Sequence, residues 1–161
     1  MTPANALAAV KSYSTSLSFE KNGKPSMAAT EELVRPSSIG VHMKNMEMIG
    51  IGNKAWMRMN GGAWQPTKMA IGQLASMDPK SFMPHNANTK VTCTDAGMGL
   101  WHGQPAHVFK ASSVNAKGTV SNMTMYVFAD GLPHHMDYSS TDGTSGTFDF
   151  SKFNSTTVSP P

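Results

Sequence analysis

Residues 13–34 read YSTSLSFEKNGKPSMAATEELV, and their periodicity decides the fold. Tyr13, Thr15, Leu17 and Phe19 alternate with Ser14, Ser16, Ser18 and Glu20, the spacing of a strand with one buried face. Asn22-Gly23 follows, a dipeptide that accepts positive φ at both centres of a tight hairpin. SMAATEELV is therefore expected to return antiparallel until Arg35-Pro36 ends it.

The same period of two runs outward from this hairpin. SIGVHMK puts Ile39, Val41 and Met43 on one face, and Asn45 turns the chain into MEMIGIG, where Met46, Met48 and Gly50 share a face. After a turn at Gly52-Asn53, KAWMRMN aligns Ala55, Met57 and Met59, with Trp56 between Lys54 and Arg58 on the other side. Further strands are expected in KVTCTD, LWHG, PAHVFKASS, SNMTMYVFA, LPHHMDYSS and TFDFSKF. Turns are placed at Asp95-Ala96-Gly97, Gly103-Gln104-Pro105, 115–118, Asp130-Gly131 and Asp142-Gly143.

Two segments break the alternation. ANALAAVKS suggests a short helix packed by Ala6, Leu7, Ala9 and Val10. TKMAIGQLASM places Met69, Ala70, Ile71, Leu74 and Met77 at helical spacing behind Thr67 as N-cap, predicting a helix that crosses the sheet. The fold class is thus α+β: one antiparallel meander, closed or strongly curved to manage its edges, with a few short helices. A length of 161 residues fits a single domain over 1–161 with a short disordered tail near 157–161.

Composition excludes several function classes. Charged residues are 14% of the chain, and the net charge of +3 is spread singly, with no basic run or stripe for nucleic acid. Cys93 is the single cysteine, which removes internal disulfides and paired-cysteine redox motifs; within VTCTD it reads as a small buried apolar residue. No apolar run reaches the length of a membrane-spanning helix. MTPANALAAV reads as a mature start, so an export segment, or a lipid-attachment cysteine, is expected to have been removed.

Chemistry is equally sparse. The chain holds no Gly-x-Ser-x-Gly elbow, phosphate-cradling glycine loop or His-Glu-x-x-His helix, and the adjacent carboxylates Glu31 and Glu32 point to opposite strand faces. No catalytic residue and no cofactor is assigned. Methionine thioethers bind Cu(I), and Met46, Met48, Met57 and Met59 could adjoin, with Met123 and Met125 and the histidines His42, His85, His102, His107, His134 and His135 as further donors. His134 and His135 project to opposite faces, while His102 and His107 could meet across their turn without an obvious third ligand. Copper is the third reading, and no metal site is assigned.

The order of motifs resembles a known group. A helix, a hairpin, LVRPSSIGV, then EMIGIGNKAWMRM and a second helix is similar to the first half of periplasmic lipoprotein carriers of the Lol type. YVFADGLPHHMDY and the closing FDFSKFNSTTVSPP resemble the related mycobacterial lipid-carrying lipoproteins. This resemblance implies a half-barrel, a curved, unclosed antiparallel sheet of about ten strands with helices on its concave side and acyl chains bound between. It also implies that Arg35, in the Arg-Pro motif, holds a helical lid to the sheet.

The resulting expectation is a non-catalytic, exported protein of the periplasm, free or tethered to a membrane. It would be a monomer that binds a lipid or the acyl chains of a lipoprotein. Tyr13, Leu17, Phe19, Ile39, Val41, Met43, Met57 and Met59 would line the sheet side, and Met69, Ile71 and Leu74 the helical side. Burial of each methylene supplies roughly 0.8 kcal/mol, so binding needs no chemistry. The alternative is an envelope interaction protein with a filled core and a protein partner on its surface.

Overall fold

The computed structural model describes residues 6–7, 9–68 and 90–161. Among the described residues Ala6, Leu7 and Ala9 are helical, and the other regular elements are strands. The first six strands are β1 (Ser12–Lys21), β2 (Lys24–Val34), β3 (Ser38–Met43), β4 (Met46–Ile51), β5 (Lys54–Met59) and β6 (Gln65–Thr67). The remaining five are β7 (Lys90–Trp101), β8 (Gln104–Val114), β9 (Val120–Val127), β10 (Pro133–Ser140) and β11 (Thr144–Ser151).

These strands form one sheet in the order β6-β5-β4-β3-β2-β1-β11-β10-β9-β8-β7. Every neighbour in that order is also a neighbour in sequence except β1 and β11, so the meander is interrupted once, between β6 and β7. Those two are the edges of that order, and among the described residues no ladder joins them. Alternation of apolar and polar residues fixes which face each strand buries, because a slip of one residue would expose the whole apolar set. Asn22 and Gly23 have φ of 52° and 73°, the double positive pair that turns β1 into β2.

Residue contacts group into two compact units. One comprises Val10–Leu17, Ala28–Phe82 and Phe150–Pro161. Its core rows run across the ladders: Leu33 faces Ile39, which faces Gly50, which faces Ala55, and Val41 faces Met48, which faces Met57. Tyr13 is fully buried and meets the Phe150 ring edge-on at 6.0 Å. The N-terminal segment of this unit is tied down by backbone bonds from Arg35 to Lys11 O and from Asn154 to Ser12 O.

The other unit comprises Met1–Ala9, Ser18–Met27 and Met83–Asp149. Its central row places fully buried Met136 between Phe148 on β11 and Met125 on β9, with Phe109 beyond on β8. Phe19 packs edge-on against Phe148 at 5.3 Å and Tyr138 at 6.3 Å. Gly146 makes room for it: a Cβ there would lie 2.5 Å from Phe19 Cδ1 and 2.7 Å from the Ser18 carbonyl oxygen.

Three expectations need correction. KVTCTD and LWHG are one strand, and Asp95-Ala96-Gly97 is a bulge between them, where the Asp95 carboxylate accepts the Gly97 N–H at 2.8 Å. The next turn falls at His102-Gly103, so Gln104 and Pro105 already belong to β8. Cys93 is exposed rather than buried, because it lies on the edge strand β7. Thr67 ends β6 in strand form; the helix expected behind it, with Met69, Ile71, Leu74 and Met77, lies outside the described residues.

Candidate ligand-binding face

In the unit built on Ala28–Phe82, one sheet face is apolar and sulfur-rich. Ala29 opposes Met43, Met46 opposes Met59, and Met48 opposes Met57. The sequence placed Ile39, Val41, Tyr13 and Leu17 on the lining face, and all four are buried. Met43 and Met57 are half-buried, and Met59 is 50% exposed. Burial decreases toward the hairpin between β3 and β4, because a core side chain needs neighbours on all sides and the strand ends supply fewer. Glu31, 1% exposed and opposite Val41, is a buried carboxylate on this face; sequence reasoning treated it only as half of a carboxylate pair.

Arg35 lies just past the end of β2, half-buried. Its Nε donates to the Val10 carbonyl at 3.0 Å. The arginine therefore grips the chain directly after the helical residues Leu7 and Ala9.

The opposite face of this unit is ionic. His42 lies 3.5 Å from Glu32 and 3.3 Å from Glu47, and Arg58 donates to Glu47 at 2.8 Å. The Arg58 hydrogen bond holds the Glu47 carboxyl below the usual carboxylate range. Arg58 also sits 4.7 Å over the Trp64 ring. His42 thus points away from the methionines and is no co-ligand for them.

The unit containing Met83–Asp149 carries an apolar face of its own that sequence reasoning left out of the site. Phe109, Met123, Met125, Met136 and Phe148 line it, and the alternation in SNMTMYVF was the signal that could have found it. The face continues onto β7, where Met98 is 71% and Leu100 70% exposed. Phe19, assigned to the lining from sequence, is buried in this unit.

The histidines of this unit are engaged by carboxylates. His107 reaches Asp95 at 2.5 Å, His134 reaches Asp130 at 2.8 Å, and His135 stands between Asp149 at 2.6 Å and Asp137 at 3.1 Å. His135 is buried against Trp101, whose ring stacks on it at 4.7 Å. His102 sits in the hairpin and His107 opposes Met98, so the two do not pair. Among the described residues, no group of three or more His, Cys, Asp or Glu side chains is arranged to hold a metal ion.

No protein-family model matches the chain, and no curated protein matches it. Solved structures do. The lipoprotein LppX of Mycobacterium tuberculosis superposes with a TM-score of 0.58 at 9% identity, covering 94% of this chain and 91% of that one. A LolA superfamily protein from Nitrosomonas europaea gives 0.44 at 9% identity, over 100% and 96% of the two chains. MucB in complex with MucA(peri) gives 0.38 at 17% identity, over 99% of this chain and 57% of that one. The fold is that of the LppX lipoprotein.

Proposed function

We propose that this is a non-catalytic protein of the bacterial envelope that holds an apolar molecule, a lipid or the acyl chains of a lipoprotein, against its apolar sheet face. The observation that carries the reading is on β7: Met98 and Leu100 continue a face of buried apolar rows yet are 71% and 70% exposed. Soluble domains seldom leave large apolar side chains adjoining their core in water unless something else covers them. The LppX fold supports the reading at the level of architecture. Flexible methionines on the other unit's face suit a ligand of variable shape. An extracytoplasmic location, a lid containing Met69, Ile71 and Leu74, and a role for Arg35 in holding the cover belong to the same proposal.

The test is extraction of the full chain, purified from its native envelope, followed by mass spectrometry of the organic phase. A lipid at near-stoichiometric yield supports the proposal. A fluorescent fatty-acid titration adds a site test: Met98→Lys with Leu100→Lys should weaken binding without unfolding the protein, since both side chains are exposed. No extractable lipid together with equal probe binding by this variant would overturn it.

A further inference from the structure

The ladders bring five methionine side chains together in a way that the lipid reading does not require. Met46 and Met59 are directly opposed on β4 and β5, and so are Met48 and Met57. The register of β3 on β4 runs Val41 to Met48 and His42 to Glu47, and its next step sets Met43 beside Met46. One row across three strands is therefore Met43–Met46–Met59, with Met48 and Met57 in the row behind. Opposed residues on one face of an antiparallel pair have Cβ atoms about 4.5–5.5 Å apart. Thioethers on three-bond flexible arms at that spacing can turn several sulfurs toward one point.

Accessibility is graded in a way that suits ion capture. Met48 is 4% exposed, Met43, Met46 and Met57 are half-buried, and Met59 is 50% exposed at the strand end. His42 and Glu47, donors that would favour zinc, occupy the opposite face and bond to each other, and the one carboxylate described on the methionine face, Glu31, belongs to the neighbouring row, with Val41 between it and Met48. The Met43–Met46–Met59 row itself is a neutral, soft, all-sulfur donor set, the ligand class that selects Cu(I) over harder divalent ions.

We propose that the Met43–Met46–Met59 row, with Met57 behind it, is a binding site for a soft monovalent cation, Cu(I) or its redox-inert counterpart Ag(I), held by three or four thioether sulfurs. The ion is bound as the monovalent species, with no change of oxidation state. The inference does not depend on lipid binding.

The experiment uses the full chain with the metal alone. Titrated anaerobically with Cu(I) held by a chromophoric chelator, the wild type should withdraw about one equivalent, and Met46→Leu with Met59→Leu should weaken binding by roughly tenfold or more, because two soft donors are lost. Leucine keeps the apolar volume, and Met123→Leu with Met125→Leu, on the other unit's face, should leave binding unchanged. Independently of any variant, Ag(I) added to protein labelled with carbon-13 at the methionine methyls should move the signals of Met43, Met46, Met57 and Met59 and leave that of Met136 in place. Withdrawal of copper by the variant equal to the wild type, no withdrawal by the wild type, or uniform methyl shifts would each overturn the site.

Discussion

Arg35 donates its Nε–H to the carbonyl oxygen of Val10 at 3.0 Å, while its own backbone N–H bonds to Lys11 at 2.8 Å. One residue thereby clamps two consecutive positions of the N-terminal segment to the β2–β3 connection. A hydrogen bond from a charged donor contributes about 1.5–3 kcal/mol. Arg35→Leu should lower unfolding free energy by about 1–3 kcal/mol in urea. Amide exchange of Leu7 and Val10 should rise more than that of β9. Equal protection in variant and wild type would show that the clamp is idle.

Phe19 and Gly146 form the second dependence. Since an added Cβ at 146 meets both the Phe19 ring and the Ser18 backbone, Gly146→Ala should cost about 1–3 kcal/mol by overpacking. Chemical denaturation of the variant beside the wild type checks it, and an unchanged midpoint would show that the Phe19 ring and Ser18 backbone do not crowd this position.

Met136 is the centre of the Phe148–Met136–Met125 row and has no exposure. Met136→Ala should destabilise by about 2–5 kcal/mol, whereas Met136→Leu should cost under about 1.5 kcal/mol. Equal midpoints for both variants in urea would refute the packing described.

Asp142 gives a pH dependence with a defined sign. The Thr144 backbone N–H donates to its carboxylate at 2.9 Å, the Thr144 hydroxyl adds to this, and Lys21 lies 3.1 Å away, so its carboxyl is held well below the ordinary aspartate value. A group depressed in the folded state contributes stability above its unfolded pKa, and that stability is lost as pH falls through the folded one. Asp142→Asn should therefore show a shallower loss of stability than the wild type on acidification below about pH 4. Parallel acid curves would remove Asp142 from the account.

Much of this fold was legible because alternation and turn chemistry agree locally. Tyr13 to Phe19 with Asn22-Gly23 dictates the first hairpin, and the Gly52-Asn53 turn sets Met46 opposite Met59 as observed. The features that escaped depend on position in the finished sheet. Cys93 carries the same local pattern as a core strand and is exposed only because β7 is an edge. Asp95 to Gly97 looks like a turn in sequence, and the ladder to Phe109 and His107 makes it a bulge. Of the candidate site, the methionine face followed from period two. The Phe109 to Phe148 face was equally periodic, yet sequence reasoning placed the lining on the earlier strands alone, and Met69, Ile71 and Leu74 lie outside the described residues.

The adjacency of β1 and β11 has a kinetic consequence. Ser18 and Thr147 bond across it at 3.1 Å although 129 residues separate them. A newly made β1 can find β2 at once through a two-residue hairpin, but its other flank has to wait for the last strand of the sheet. During that interval its bare amides and carbonyls are open to wrong partners, and closure of so long a loop is slow. A chaperone that shields the first hairpin until synthesis is complete should raise the yield of folded protein more than one that binds β9 or β10.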